Sequence, residues 1–208
     1  MREREERIAM PASFALSDEV ERQLRLFVDL LLRWNATVNL VAARDRETVW
    51  DRHVADSLQL MPLLHPATAR GVDLGSGAGF PGLVLALAAG IPFDLIESDR
   101  RKAAFLRTAA QETAAPVTVH ACRIEDAQVA PAPLVTARAL APLPRLLALA
   151  APFLAPGGMC LFLKGRGVEA ELTEAGTQWR IQVERSASTT APDGVVLTIT
   201  GIARRTEP

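Results

Sequence analysis

The chain of 208 residues carries only two cysteines, Cys122 and Cys160. Each sits in an apolar run that reads as strand, so buried thiols in a reducing compartment are expected rather than a disulfide. No Cys/His spacing suits a metal ion, and no metal site is expected. Long apolar runs are lacking too. The best of them, 83–91, is far too short to cross a bilayer, so no membrane association is expected. The charged N-terminal run 2–7 has no apolar stretch behind it, which argues against a secretory signal and for the cytoplasm. Excess charge of either sign is also missing. A formal net charge of -1 gives no global signature of nucleic-acid binding. The basic residues are nonetheless almost all arginine, the side chain suited to phosphates and base edges.

What is present is a hydrophobic content of 49%, ample for a packed core. The length suits a single domain, here divided into a helical extension over 1–66 and an α/β core over 67–208. In the extension, Ser17 caps a helix whose first turn is acidic, and Leu24, Phe27, Leu31 and Leu32 follow helical spacing. A second helix is expected over 46–64, ending before Pro66. From Gly71 onward strands and helices alternate. Strands are expected over 71–74, 93–97, 117–121, 134–137 and 158–163, the last preceded by the turn Ala155-Pro156-Gly157. Helices are expected over 82–89, 100–113, 143–153 and 168–175. Two late strands, 179–185 and 195–202, follow without a helix between them and form a loose hairpin around Asp193-Gly194. Repeated βα units require a mostly parallel sheet covered by helices, here of seven strands with one antiparallel member.

The segment Asp73-Leu74-Gly75-Ser76-Gly77-Ala78-Gly79-Phe80 turns a strand into a helix through glycines. Removing Cβ atoms lets a ligand approach the backbone, and the helix start offers free N–H groups. The run 77–82 also satisfies the G-x-G-x-x-G dinucleotide pattern. Asp73 favours S-adenosylmethionine, because an acid there can face a cationic amine but would repel a pyrophosphate. Glu97, about 20 residues beyond the first glycine, stands where an acid binds ribose hydroxyls, or else pairs with Arg100 or Arg101. The loop Arg123-Ile124-Glu125-Asp126 lies at the same rim of the sheet. Ile124 can pack on adenine and an acid or backbone group of the loop can receive its amine, while Asp126 can simply cap a helix. Arg138 and Lys164 end the next two strands and point to substrate or cofactor contact, with ion pairing as the alternative. His53 and Asp56, three residues apart on one helix face, are either a helix pair or part of the active-site wall. Trp34 and Asn39 read as anchors of the extension.

Taken in order, several motifs resemble the bacterial small-subunit ribosomal RNA methyltransferase G family, also called glucose-inhibited division protein B. They are Trp34-Asn35 with Asn39-Leu40, Arg52-His53 with Asp56-Ser57, the glycine segment through Gly82, Glu97-Ser98 with Arg101-Lys102, Arg138-Ala139, and Lys164-Gly165. The resemblance covers nearly the whole chain. It implies a Rossmann-like class I S-adenosylmethionine-dependent methyltransferase fold and methylation of guanine N7 in the 530 loop of 16S rRNA. By position it assigns Gly75, Phe80, Ile124, Glu125 and Arg138 to the donor, beside Asp73, Gly77 and Glu97. Arg138, Lys164 and His53 are the expected RNA contacts. No general base is expected, since N7 carries no proton. The 30S subunit is the expected partner of a monomeric enzyme. A small-molecule or protein methyltransferase of the same fold is the alternative.

Overall fold

The computed structural model describes residues 16–205, so the charged N-terminal run lies outside the described residues. Helix α1 (Asp18–Trp34) starts where Ser17 Oγ accepts the N–H of Val20, and its first turn carries Asp18, Glu19 and Glu21. Those acids complement the positive end of the helix dipole. Its apolar stripe buries Leu24, Phe27, Leu30 and Leu31, each contributing about 1.5–3 kcal/mol. After α1, Asn35 closes the chain into a tight loop. Its Oδ1 accepts the N–H of Leu40 (2.8 Å) and of Val41 (3.0 Å). Asn35 therefore anchors this loop, whereas Asn39 is exposed.

The second helix expected over 46–64 is not continuous. The segment is a relay of short turns: a 3-10 turn at Ala43–Thr48, one π-helical turn at Trp50–Val54, helix α2 (Ala55–Leu58), and another 3-10 turn at Met61–Leu63. The period-3.6 apolar pattern runs on across these breaks. The segment must follow the rim of the sheet, and Val49, Val54, Leu58 and Leu60 each still reach the core.

Strand β1 (Gly71–Leu74) is buried throughout and leads to α3 (Gly82–Ala89). Then come β2 (Phe93–Ile96), α4 (Arg100–Thr113), β3 (Val117–His120), β4 (Ala132–Arg138) and α5 (Leu143–Ala150). The chain ends with β5 (Leu154–Lys164), α6 (Val168–Gln178), β6 (Trp179–Ala187) and β7 (Val195–Arg204). The expected turn at 155–157 lies inside β5, where Gly157 takes a φ of +74° and the pairing with β4 shifts register. The extra residues are absorbed as an irregularity in the strand instead of ending it.

The seven strands run in the order β3-β2-β1-β4-β5-β7-β6. Pairs among β1 to β5 are parallel, and β7 runs antiparallel to both β5 and β6. A hydrophobic core lies on each face. One joins Leu24, Phe27 and Leu31 of the extension to Leu83, Phe105 and Leu106, and the other gathers around Leu146, Leu147, Phe153 and Phe162. The Phe27 ring meets Phe80 edge-on at 5.4 Å and Phe105 at 6.1 Å, so the extension packs directly on the turn after β1. The strand order reverses between β1 and β4, and such a switch point opens a ligand crevice at the carboxyl ends of the strands.

Candidate active site

Two cavities open along that crevice. The first, of about 500 Å³, is lined by Gly75, Gly77, Glu97, Ile124 and Glu125, together with Leu140, Arg145 and others. The second, of about 710 Å³, is lined by His53, Asp56, Arg138, Lys164 and the loop between β6 and β7. The segment Arg138-Ala139-Leu140-Ala141 stands between them: Arg138 and Ala139 face the second cavity, Leu140 and Ala141 the first.

The first cavity is built from backbone. Gly75 has φ +63°, and a Cβ there would come within 2.7 Å of Leu140 Cδ1. The wall is therefore closed by the β4 loop seated on a residue that has no side chain. Gly82 serves a different purpose. A Cβ on it would lie 2.5 Å from Asp73 Cβ and 2.7 Å from Leu95 Cδ2, so α3 can approach β1 and β2 only as glycine. Glu97 fixes the floor. Its Oε2 accepts the N–H of Gly77 at 2.8 Å and its Oε1 accepts the N–H of Asp99 at 2.7 Å. Asp99 in turn caps α4 by accepting the N–H groups of Arg101 and Lys102, which hold its carboxyl below the usual range. Glu97 is thus bound to backbone, and Arg101 lies 3.9 Å from Asp99 instead. Ile124 and Glu125 project from a 3-10 turn (Ile124–Asp126), with Glu125 3.9 Å from Arg145.

Asp73 and Phe80 line neither cavity. Asp73 is fully buried beneath the glycine turn, where its Oδ1 accepts the hydroxyl of Thr136 at 2.6 Å. Burial pushes its carboxyl up to about 6, against the lowering effect of Thr136, Ser76 and Gly82. Phe80 is 4% exposed and forms the shared floor on which His53 (5.1 Å) and the Arg138 guanidinium (5.0 Å) stack.

In the second cavity the side chains form one network. Arg138 Nη1 donates to His53 Nδ1 at 2.9 Å, to Asp56 Oδ2 at 3.3 Å and to the carbonyl of Arg52 at 3.4 Å. Because a guanidinium has no acceptor, His53 Nδ1 must be unprotonated and the ring proton sits on Nε2, 3.9 Å from Asp45 Oδ2. Burial, then the Arg138 charge, lowers the His53 pKa to about 4, so the imidazole is neutral. Lys164 Nζ lies 2.6 Å from Glu171 Oε2 and donates to the carbonyl of Ala141 at 2.9 Å. Glu171 Oε2 also accepts the N–H of Leu143 at 2.7 Å. This pair braces the Ala141 end of the wall between the cavities and holds the first N–H of α5. Asp56, Glu171, Gln59 and Thr190 were missed by sequence reasoning or read only locally. Their partners are distant in the chain, and no spacing signals them.

The residues lining the first cavity fit a nucleoside with a charged tail: bare glycine backbone, a carboxylate fixed at the end of β2 and an apolar Ile124. The sheet order and this turn define a class I S-adenosylmethionine-dependent methyltransferase. The same fold is found in an O-methyltransferase from Bacillus cereus solved with SAH (TM-score 0.55, 13% identity, covering 90% of this chain and 92% of that one). An O-methyltransferase fold from Klebsiella pneumoniae gives a TM-score of 0.54 at 16% identity, covering 88% and 89%. The family model of rRNA small subunit methyltransferase G matches residues 20–195. Ribosomal RNA small subunit methyltransferase G of Granulibacter bethesdensis is 52% identical over 95% of this chain and 93% of its own length. That of Acidiphilium cryptum is 54% identical over 87% and 85%. The chain belongs to the rRNA small subunit methyltransferase G family.

Proposed function

We propose that the enzyme transfers the methyl group of S-adenosylmethionine to N7 of a guanine in the 530 loop of 16S rRNA, acting as a cytoplasmic monomer on the 30S subunit. The observation that supports this most directly is the pair of cavities flanking one short wall at the switch point, in a chain of this family. The donor takes the first cavity, with Gly75 and Gly77 against its tail, Glu97 on the ribose hydroxyls, and Ile124 and Glu125 beside the adenine. Asp73 acts from beneath this cavity through the glycine turn, and Phe80 acts from beneath the second by supporting Arg138. The guanine takes the second cavity, where Arg138 sits beside the donor and can address O6, the acceptor next to N7. His53 and Lys164 complete that wall.

The donor supplies an electrophilic methyl on sulfonium. N7 of guanine offers a lone pair and no proton, so the chain needs no general base. Its residues hold the nucleophile in line and exclude water, the contribution that orientation makes to such a transfer. A neutral His53 suits this arrangement, since its unprotonated Nδ1 accepts from Arg138 and helps to hold the guanidinium in place. Among the described residues no helix is long and apolar enough to cross a membrane. The test is incubation with labelled donor and 30S subunits that lack the modification, with the label mapped by nucleotide. Label at guanine N7 in the 530 loop is expected; transfer to protein or small molecules without RNA would refute the assignment.

A further inference from the structure

The loop between β6 and β7, residues 188–194, forms the outer wall of the second cavity and touches, through Thr190, the carboxylate that pairs with Arg138. It is internally ordered: Ser188 N–H donates to the carbonyl of Gly194 at 2.8 Å, and Ser188 Oγ accepts the N–H groups of Thr190 and Ala191 at 3.2 and 3.1 Å. Gln59 docks it on the helical extension. Gln59 Oε1 accepts the Thr189 N–H at 2.9 Å, and Gln59 Nε2 donates to Asp56 Oδ1 at 2.7 Å. The Thr190 hydroxyl donates to the same Asp56 Oδ1, also at 2.7 Å. Two donors therefore hold one carboxylate oxygen while the other, Oδ2, faces Arg138.

A carboxylate gripped at one oxygen cannot turn about its terminal bond, so the direction of its second oxygen is set. Together with His53 Nδ1 and the Arg52 carbonyl, that direction sets where the Arg138 guanidinium lies over Phe80. We propose that Thr190 is a positioning residue for methyl transfer: its hydroxyl, by fixing Asp56, places Arg138 in the acceptor cavity. The inference rests on the assignment of that cavity to the guanine. Placement matters here because a displacement of about 1 Å at an aligned transfer can cost on the order of 10²-fold in rate. Gln59 still grips Asp56 when Thr190 is lost, so a smaller loss follows.

Thr190→Val keeps the size of the side chain and removes the donor. With 30S subunits its kcat is expected to fall about ten-fold, while KM and the Kd for S-adenosylhomocysteine move less than about two-fold. Thr190→Ser is expected to restore kcat. A Thr190→Val enzyme with wild-type kcat overturns the proposal, as does a loss that serine does not recover or one carried by donor affinity. Side-chain NMR of Arg138, assigned with Arg138→Lys, decides the point without substrate. Slow guanidinium rotation in the wild-type chain, averaged in Thr190→Val and slow again in Thr190→Ser, supports the latch; identical spectra in wild type and Thr190→Val overturn it. A wild-type chain that leaves 30S unmethylated refutes the assignment of function alone, because the NMR comparison still judges the latch.

Discussion

Fully buried Asp73 and half-buried His53 have pKa values displaced in opposite directions, and their effects on stability should cancel until one is removed. Burial raises the Asp73 carboxyl from 3.8 to about 6. Its charged form is disfavoured in the folded chain, so stability falls as pH rises from about 4 to about 6. At about 1.4 kcal/mol for each pH unit, the penalty above that window is about 3 kcal/mol. His53 behaves in reverse. Its pKa falls from 6.5 to about 4, so the folded chain resists the proton and stability is lost as pH drops through the same window. That penalty is at most about 3 kcal/mol, because solvent screens the half-buried imidazole. Between them the two groups leave stability nearly flat from pH 4 to pH 6.5. Asp73→Asn keeps the acceptor for Thr136 and removes the titration. Relative to wild type it should gain about 3 kcal/mol of stability on going from pH 4 to pH 6.5, read from urea unfolding curves at each pH. His53→Gln should lose about as much over the same range. A difference between Asp73→Asn and wild type that stays constant with pH within about 0.5 kcal/mol would refute the reasoning.

Other expected outcomes follow from the two cavities. Glu97→Ala removes the acceptor of two backbone N–H groups as well as the proposed ribose contact. S-adenosylhomocysteine should then bind at least ~30-fold more weakly by calorimetry, since each hydrogen bond to a charged group contributes about 1.5–3 kcal/mol; a Kd within about three-fold of wild type would sink that role. Gly82→Ala drives a Cβ to 2.5 Å from Asp73 and should destabilise the fold by about 1–3 kcal/mol, seen as a drop of several degrees in Tm. An unchanged Tm would show that α3 can retreat. Lys164→Met tests brace against RNA contact. A brace predicts lower stability with the salt dependence of 30S binding unchanged, whereas a phosphate contact predicts a salt slope reduced by about 1.

The alternating elements, the glycine turn and the family landmarks were legible in the chain because they depend on local rules. Period-2 and period-3.6 patterning, the cap at Ser17 and the glycine spacing are all decided within a few residues. The same locality caused the misreadings. A single helix was expected over 46–64 because apolar spacing does not reveal that the chain must bend along the sheet rim. An acid before the first glycine was expected to face the ligand. The close seat of Gly82 against Asp73 shows that this acid lies under α3, with its hydroxyl partner on β4.

The second cavity was decided by tertiary structure. The class of enzyme and the glycine turn could be read from the chain alone, because the geometry of that turn is written in consecutive residues. Arg138 meets Asp56 across 82 residues of sequence, and Asp56 meets Thr190 across 134. No propensity or spacing records such pairings. They arise because the broken helical segment and the β6–β7 loop close over the carboxyl ends of the strands, where buried charge and hydroxyl must find partners in one another.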